Sequence, residues 1–241
     1  MKATGVPQAR VLVVPEKEFD ERVAESLARA LEDSTNTGPG NLTLAGGGTP
    51  RGGYQRLAEA PGLPWDRIEV FFGDERAVPP HHPESNFRMA MEALLSRVPV
   101  PPGQIHRMEA DLPDREMAAR RYEAVLPPTL DILILGIGGD GHTASLFPGE
   151  EAVRERSRRV VPARGPTPPR DRLTITPPVI QSASRVFVLA RGGGKAASVS
   201  RALEGPFDPG ACPAQLARAG TWILDEPAAR ELERPGKGGG P

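Results

Sequence analysis

A doubly wound, mostly parallel α/β sheet flanked by helices, Rossmann-like, is the fold this sequence predicts. Three observations predict it. Short apolar strand-like runs alternate with helix-like runs along nearly the whole chain. The richest motifs each follow the end of a strand-like run. No linker divides the 241 residues, a length that suits one large α/β unit. The expected domain is residues 1–233, with 234–241 (RPGKGGGP) as a flexible tail.

The elements follow in order. Residues 10–14 (RVLVV) form a short buried strand. Phe19, Val23, Leu27 and Leu31 then recur every four residues and mark an amphipathic helix. Residues 41–45 are a second strand ending in Gly46-Gly47-Gly48-Thr49-Pro50, with a helix over 51–60 whose start Gly52 and Gly53 weaken. A third strand, 68–72, runs into Gly73-Asp74-Glu75-Arg76 and a Pro/His-rich loop. Ser85 is placed to cap a helix over 86–97, because its hydroxyl oxygen can accept an orphan N–H of the first turn. A helix over 115–126 stops at Pro127-Pro128, and 130–135, the most hydrophobic strand, is expected at the centre of the sheet. Strands at 172–176 and 185–190, a helix over 195–203, a strand at 221–224 and a last helical turn or two over 227–232 complete the set.

The net charge of −1 provides no polyanion-binding surface, so nucleic acid is not an expected partner and any anion site must be local. One cysteine, Cys212, cannot form an internal disulfide, and no Cys/His cluster suggests a metal. No apolar stretch approaches the ~18 residues of a membrane span, and the N-terminal apolar run is too short for a signal peptide. The expectation is a cytoplasmic protein, monomeric or a weak homo-oligomer, with no membrane partner. Only four of the 30 Lys and Arg residues are lysines, and Lys195 alone lies in the body of the chain away from the ends, where a compact charge on a flexible stem is wanted rather than a fork.

Four motifs carry chemistry. In parallel sheets ligands bind outside the carboxyl ends of the strands, so the predicted fold brings these motifs to one rim. In Gly46–Pro50 the glycines let backbone N–H groups approach an anion and Thr49 adds a hydroxyl: a phosphate cradle, with no Gly-Lys-Ser/Thr of a Walker loop. Asp74 and Glu75 can orient a ligand or touch its hydroxyls, and Arg76 can clamp a phosphate or carboxylate bidentately. Gly136, Gly138 and Gly141 spell G-x-G-x-x-G, but the stretch some 20 residues later (Val160-Val161-Pro162-Ala163) has no acid, which argues against a dinucleotide. Within that loop His142 sits where a ligand would meet it, with Asp140 two residues before to fix its tautomer. No Ser or Cys stands in a nucleophile elbow, so water activated by His142 is the simplest hydrolytic scheme. Gly192-Gly193-Gly194-Lys195 places an ammonium at a helix start, able to meet the same anion.

Taken together, GGGTP (46–50), GDERAV (73–78) with ESN (84–86), LGIGGDGHTASLFPG (135–149), RLTIT (172–176) and GKA (194–196) resemble the 6-phosphogluconolactonase family, in order and spacing over residues 10–224. That family is similar in fold to the glucosamine-6-phosphate deaminases, the natural rival. The deaminases carry a tyrosine after Asp-Glu, where this chain has Arg76, and a catalytic glutamate five residues after the DGH histidine, where it has Phe147. Glu150 and Glu151 are out of register. The resemblance implies hydrolysis of 6-phospho-D-glucono-1,5-lactone to 6-phosphogluconate, in the oxidative pentose phosphate pathway, without metal or organic cofactor. It implies that Gly47, Gly48, Thr49, Arg76 and Lys195 hold the phosphate of this small sugar phosphate. It further implies that His142 acts as general base and that Asp140, Asp74 or Glu75 orients it. Asn86 and Arg172 are further candidates for substrate contact. Against this stand the deaminase and a non-catalytic sugar-phosphate sensor, for which a set of Arg76, His142 and Lys195 would be surplus.

Overall fold

The computed structural model describes residues 9–36 and 38–233, so the tail expected at 234–241 lies outside the described residues. Among the described residues nine strands make two sheets. Strands β1 (Arg10–Val14), β2 (Gly40–Leu44), β3 (Ile68–Phe72), β5 (Ile132–Gly136), β8 (Arg185–Ala190) and β9 (Thr221–Asp225) form an all-parallel sheet in the order β1-β9-β8-β5-β2-β3. Its most hydrophobic strand, β5, is interior as expected, between β8 and β2. From β2 the chain adds β3 on one side, and then β5, β8 and β9 on the other. The strand order therefore reverses between β2 and β5, and a doubly wound sheet offers its ligand crevice at such a switch point.

Three short strands form a second, antiparallel sheet: β4 (Asp74–Arg76), β7 (Asp171–Ile175) and β6 (Val160–Arg164), with β7 in the middle. Only β7 is legible as a strand in the sequence. The charged triplet of β4 reads as a turn, and β6 carries Pro162, which is tolerated because β6 is an edge strand.

Among the described residues seven α-helices flank the sheets. In α1 (Phe19–Thr35) the four-residue period buries Phe19, Val23, Leu27 and Leu31 completely. Helix α2 (Arg51–Leu57) stops three residues before the expected end. A Cβ on Gly52 would lie 2.4 Å from the Asp20 carboxylate, and one on Gly53 2.4 Å from Val23 Cγ1. The two glycines that weaken the helix start are what lets α2 approach α1. Ser85 caps α3 (Asn86–Ala90), accepting from the Arg88 N–H at 3.1 Å, and the helix continues as one π turn over Met91–Leu95 before ending. Asp114 caps α4 (Arg115–Val125). Helices α5 (Pro177–Ser182), α6 (Ala196–Leu203) and α7 (Glu226–Ala229) complete the layer; α7 ends three residues short of the expected limit.

Two buried tyrosines finish the strands that carry the site. The Tyr54 hydroxyl donates to Ala45 O and accepts from Ala45 N, both at 3.0 Å. The Tyr122 hydroxyl does the same for Phe72, at 3.1 and 2.7 Å. Ala45 lies past the end of β2 and Phe72 is in β3, an edge strand, so the tyrosines pair backbone groups that no neighbouring strand meets. Burial pushes both phenols far up, so they stay neutral.

Candidate active site

At the switch point a cleft of ≈ 220 Å³ opens, and the carboxyl ends of β2, β3 and β5 supply much of its wall. Gly47, Gly48, Thr49, Asp74, Arg76, Asn86, His142, Arg172 and Lys195 all line it, from motifs some 150 residues apart. Two residues predicted for the site, Glu75 and Asp140, do not line it.

The anion side begins where β2 ends. A Cβ on Gly46 would fall 1.8 Å from Asn86 Oδ1, so only glycine fits there. Gly47 has φ +86°, and nothing crowds Gly47 or Gly48. The N–H groups of Gly47, Gly48 and Thr49 donate to no protein acceptor among the described residues. Three cations line the same cleft. Arg76 on β4 faces Arg172 on β7 as its register partner. Arg76 donates through Nη1 to Glu84 O (2.8 Å) and to Asn86 Oδ1, and Asn86 is itself held by Asp74 O (2.9 Å) and Asp74 Oδ1 (3.1 Å). One edge of the guanidinium is thus fixed by protein. Burial pushes the Arg172 guanidinium down; Asp74 nearby opposes this, and the Arg76 charge adds to it. Its guanidinium carbon sits over the Phe147 ring, 5.7 Å from the ring centre, where the ring face attracts the cation. The Nε atoms of Arg76 and Arg172 are buried without a protein partner.

Lys195, the third cation, closes a 3₁₀ turn over Gly193–Lys195 that starts from Gly192 at φ +90°. Sequence reasoning missed what holds this turn. Asp225, fully buried at the end of β9, accepts from the Gly192 N–H with both oxygens (3.0 and 2.9 Å) and from the Ala228 N–H (2.8 Å). An Asp before Glu-Pro signals a helix cap, but not the distant glycine loop it also serves. None of Arg76, Arg172 and Lys195 has a carboxylate within 4.0 Å among the described residues.

The same cleft carries the imidazole. Beyond β5 the loop folds back on itself, with the Gly138 N–H donating to His142 O (2.8 Å) and Thr143 Oγ1 donating to Gly136 O (2.8 Å). His142 Nδ1 lies 2.6 Å from Asp140 Oδ1, which also accepts the His142 backbone N–H at 3.0 Å. A Cβ on Gly138 would strike both partners, at 2.1 Å from His142 Nδ1 and 2.4 Å from Asp140 Oδ1. Glycine there makes room for the pair. Partial burial pushes the Asp140 carboxyl up, but the His142 N–H, charge and ring hydrogen bond outweigh it and hold Asp140 below the usual carboxylate range. An ionised Asp140 fixes hydrogen on Nδ1 and leaves the Nε2 lone pair, which has no protein partner among the described residues. Phe147 packs against the imidazole, ring centres 4.6 Å apart. Ala144, two residues after His142, is held at φ +47°, a strained conformation of the kind that clusters at working sites.

The geometry narrows the three alternatives for the carboxylate that orients His142. Glu75 is turned away from His142: its carboxylate accepts from the N–H groups of Arg76, Asn86 and Phe87 (2.8 Å each) and from Ser85 Oγ (3.0 Å). Burial pushes its pKa up, and these donors only partly restore it. Glu75 organises the 85–87 turn. Asp74 also makes no contact with the imidazole; its Oδ2 accepts from Ser145 Oγ at 2.6 Å. Of the three carboxylates considered for orienting His142, Asp140 alone touches it. Among the described residues no group of His, Cys, Asp and Glu could hold a metal ion, and no helix is long and apolar enough to cross a membrane.

The arrangement resembles known proteins throughout. Residues 15–224 match the family model of glucosamine-6-phosphate isomerases/6-phosphogluconolactonase. A 6-phosphogluconolactonase of Synechocystis is 35% identical over 94% of this chain and 98% of its own. The crystal structure of 6-phosphogluconolactonase from Thermotoga maritima superposes with a TM-score of 0.81 at 30% identity, over 91% of this chain and 100% of that one. A monomeric glucosamine-6-phosphate deaminase superposes nearly as well, with a TM-score of 0.79 at 25% identity, over 93% of this chain and 99% of its own. Backbone similarity alone therefore does not separate the two activities.

Proposed function

The chain belongs to the family of glucosamine-6-phosphate isomerases and 6-phosphogluconolactonases, and on that premise we propose that it hydrolyses 6-phospho-D-glucono-1,5-lactone to 6-phosphogluconate. One observation carries this reading. A cleft with three unpaired cations and an open glycine loop also holds an imidazole whose Nδ1 is committed to Asp140. A phosphate held by Arg76, Lys195 and the N–H groups of residues 47–49 presents the rest of the sugar ring to His142, with Arg172 within the same wall.

His142 Nε2 takes a proton from water as the water oxygen bonds to C1 of the lactone. The tetrahedral intermediate then collapses, the bond from C1 to the ring oxygen breaks, and the imidazolium returns its proton to that oxygen. Asp140 stabilises the imidazolium between the two steps without taking the proton. General base action contributes typically ~10²–10⁴-fold, and fixed positioning of the anchored ring adds to it. The lactone is already an activated ester, so this suffices. Phe147, where the deaminases carry a glutamate, has no proton to transfer in ring opening.

A pH-stat assay on freshly generated lactone, with the spontaneous rate subtracted, tests the proposal. The expected result is hydrolysis of the phosphorylated lactone with kcat/KM at least tenfold above that of glucono-1,5-lactone, and no ammonia from glucosamine 6-phosphate. Equal rates on the two lactones would remove the phosphate assignment. Ammonia release would establish the deaminase instead.

A further inference from the structure

The small antiparallel sheet has two pairs of register partners that matter together. Arg76 faces Arg172, and two residues away Asp74 faces Thr174. Residues opposite one another on antiparallel strands share a face, and so do residues two apart on one strand. All four therefore lie on one face, with the pairs ~7 Å apart along the strands. The first pair supplies cations to the cleft. The second pair grips the loop that carries the imidazole: Ser145 Oγ donates to Asp74 Oδ2 at 2.6 Å, and the Ser145 N–H donates to Thr174 Oγ1 at 3.2 Å.

These contacts are sealed from water. Ser145 is 1% exposed, Thr174 0% and Asp74 8%. The other Asp74 oxygen accepts from Asn86, whose own carbonyl oxygen holds Arg76. A continuous chain of hydrogen bonds thus runs from the loop of His142 through Ser145, Asp74 and Asn86 to the Arg76 guanidinium. Between His142 and Ser145 the backbone passes through the strained Ala144, so the loop needs an external hold to keep its shape.

We propose that Ser145, Asp74 and Thr174 form a bracket of positioning residues that fixes the His142 loop at a set distance from the phosphate cations. The inference rests on the lactonase reading of the site. Binding of the phosphate then places C1 against Nε2 because Arg76 and the hold on the His142 loop sit on one small sheet. None of the three bracket residues takes part in proton transfer. A shift of about 1 Å in such an arrangement can cost ~10²-fold in rate.

Ser145→Ala removes the bond to Asp74 and leaves every catalytic side chain present. The expected result is a kcat 10- to 100-fold lower on the phosphorylated lactone, while the inhibition constant of inorganic phosphate stays within twofold. The Nδ1 proton resonance of His142, hydrogen-bonded to Asp140, should not move, which shows an intact base in the wrong place. Thr174→Val, which cuts the other hold, should give the same split and serves if Ser145→Ala fails to fold. A kcat within twofold of wild type in both variants overturns the bracket. So does a phosphate inhibition constant that rises in step with the fall in kcat, since that marks general damage to the fold. His142→Ala run alongside separates the cases: if it keeps wild-type turnover, the lactonase mechanism has failed rather than the bracket.

Discussion

Asp140 and Glu75 are neighbouring motifs' carboxylates with opposite electrostatics, and the difference decides their roles. Asp140 is half-exposed, accepts two hydrogen bonds from His142, and is held below its ordinary value of 3.8. A carboxylate with a lowered folded pKa contributes stability that is present above its unfolded pKa and lost as the pH falls through the folded one. Asp140→Asn should therefore be less stable than wild type at neutral pH, and the gap should narrow below about pH 3.8 as the pH falls toward the lower folded value. Urea unfolding at pH 7 and at pH 3 checks this; a gap equal at both would mean that the carboxylate charge is not what stabilises the pair. Glu75 runs the other way, because burial raises its pKa above 4.5 and favours the protonated form in the folded chain. Its cost to stability appears as the pH rises through that raised value. The sequence names both acids but not this difference, which depends on which backbone N–H groups each one meets.

At the scale of elements, the sequence shows strand and helix identity where a period is long enough to read. Helix α1 is read from four core residues, and the site loops from glycines at strand ends. What it hides are features set by contact. Gly52 and Gly53 look like a weak helix start, yet they form the face on which α1 and α2 meet. Gly53→Ala would gain ~0.5–1 kcal/mol from helix propensity, but the new methyl would lie 2.4 Å from Val23 Cγ1 and 2.8 Å from Val23 Cβ. Overpacking of this kind costs about 1–3 kcal/mol, so net destabilisation of roughly 1–2 kcal/mol is expected in a denaturant titration. Stabilisation by the substitution would show that α2 moves away freely. The small sheet was hidden for a different reason. Strand β4 is three charged residues, too short for an alternation to show, and it becomes a strand only because β7 offers it a ladder.

For the whole molecule, a net charge of −1 says nothing of a site where three unpaired cations converge. Convergence comes from topology: the reversal between β2 and β5 draws loops from opposite ends of the chain to one rim. The sequence motifs announced which residues meet, and the fold class announced where. The Asp225 support beneath Lys195 and the bracket through Ser145 stayed hidden, since both join residues dozens of positions apart with no motif of their own. Anchoring and chemistry are separable in this site, one on the cations and one on the imidazole. The most direct test is His142→Ala, assayed both for turnover of 6-phospho-D-glucono-1,5-lactone and for thermal stabilisation by 6-phosphogluconate. Product at about 100 times its Kd should still stabilise the variant by ~2.7 kcal/mol, as a ligand of the native state does, while hydrolysis falls ~10²–10⁴-fold. Hydrolysis near the wild-type rate in a variant that still binds product would contradict the role given to His142 and, with it, the mechanism.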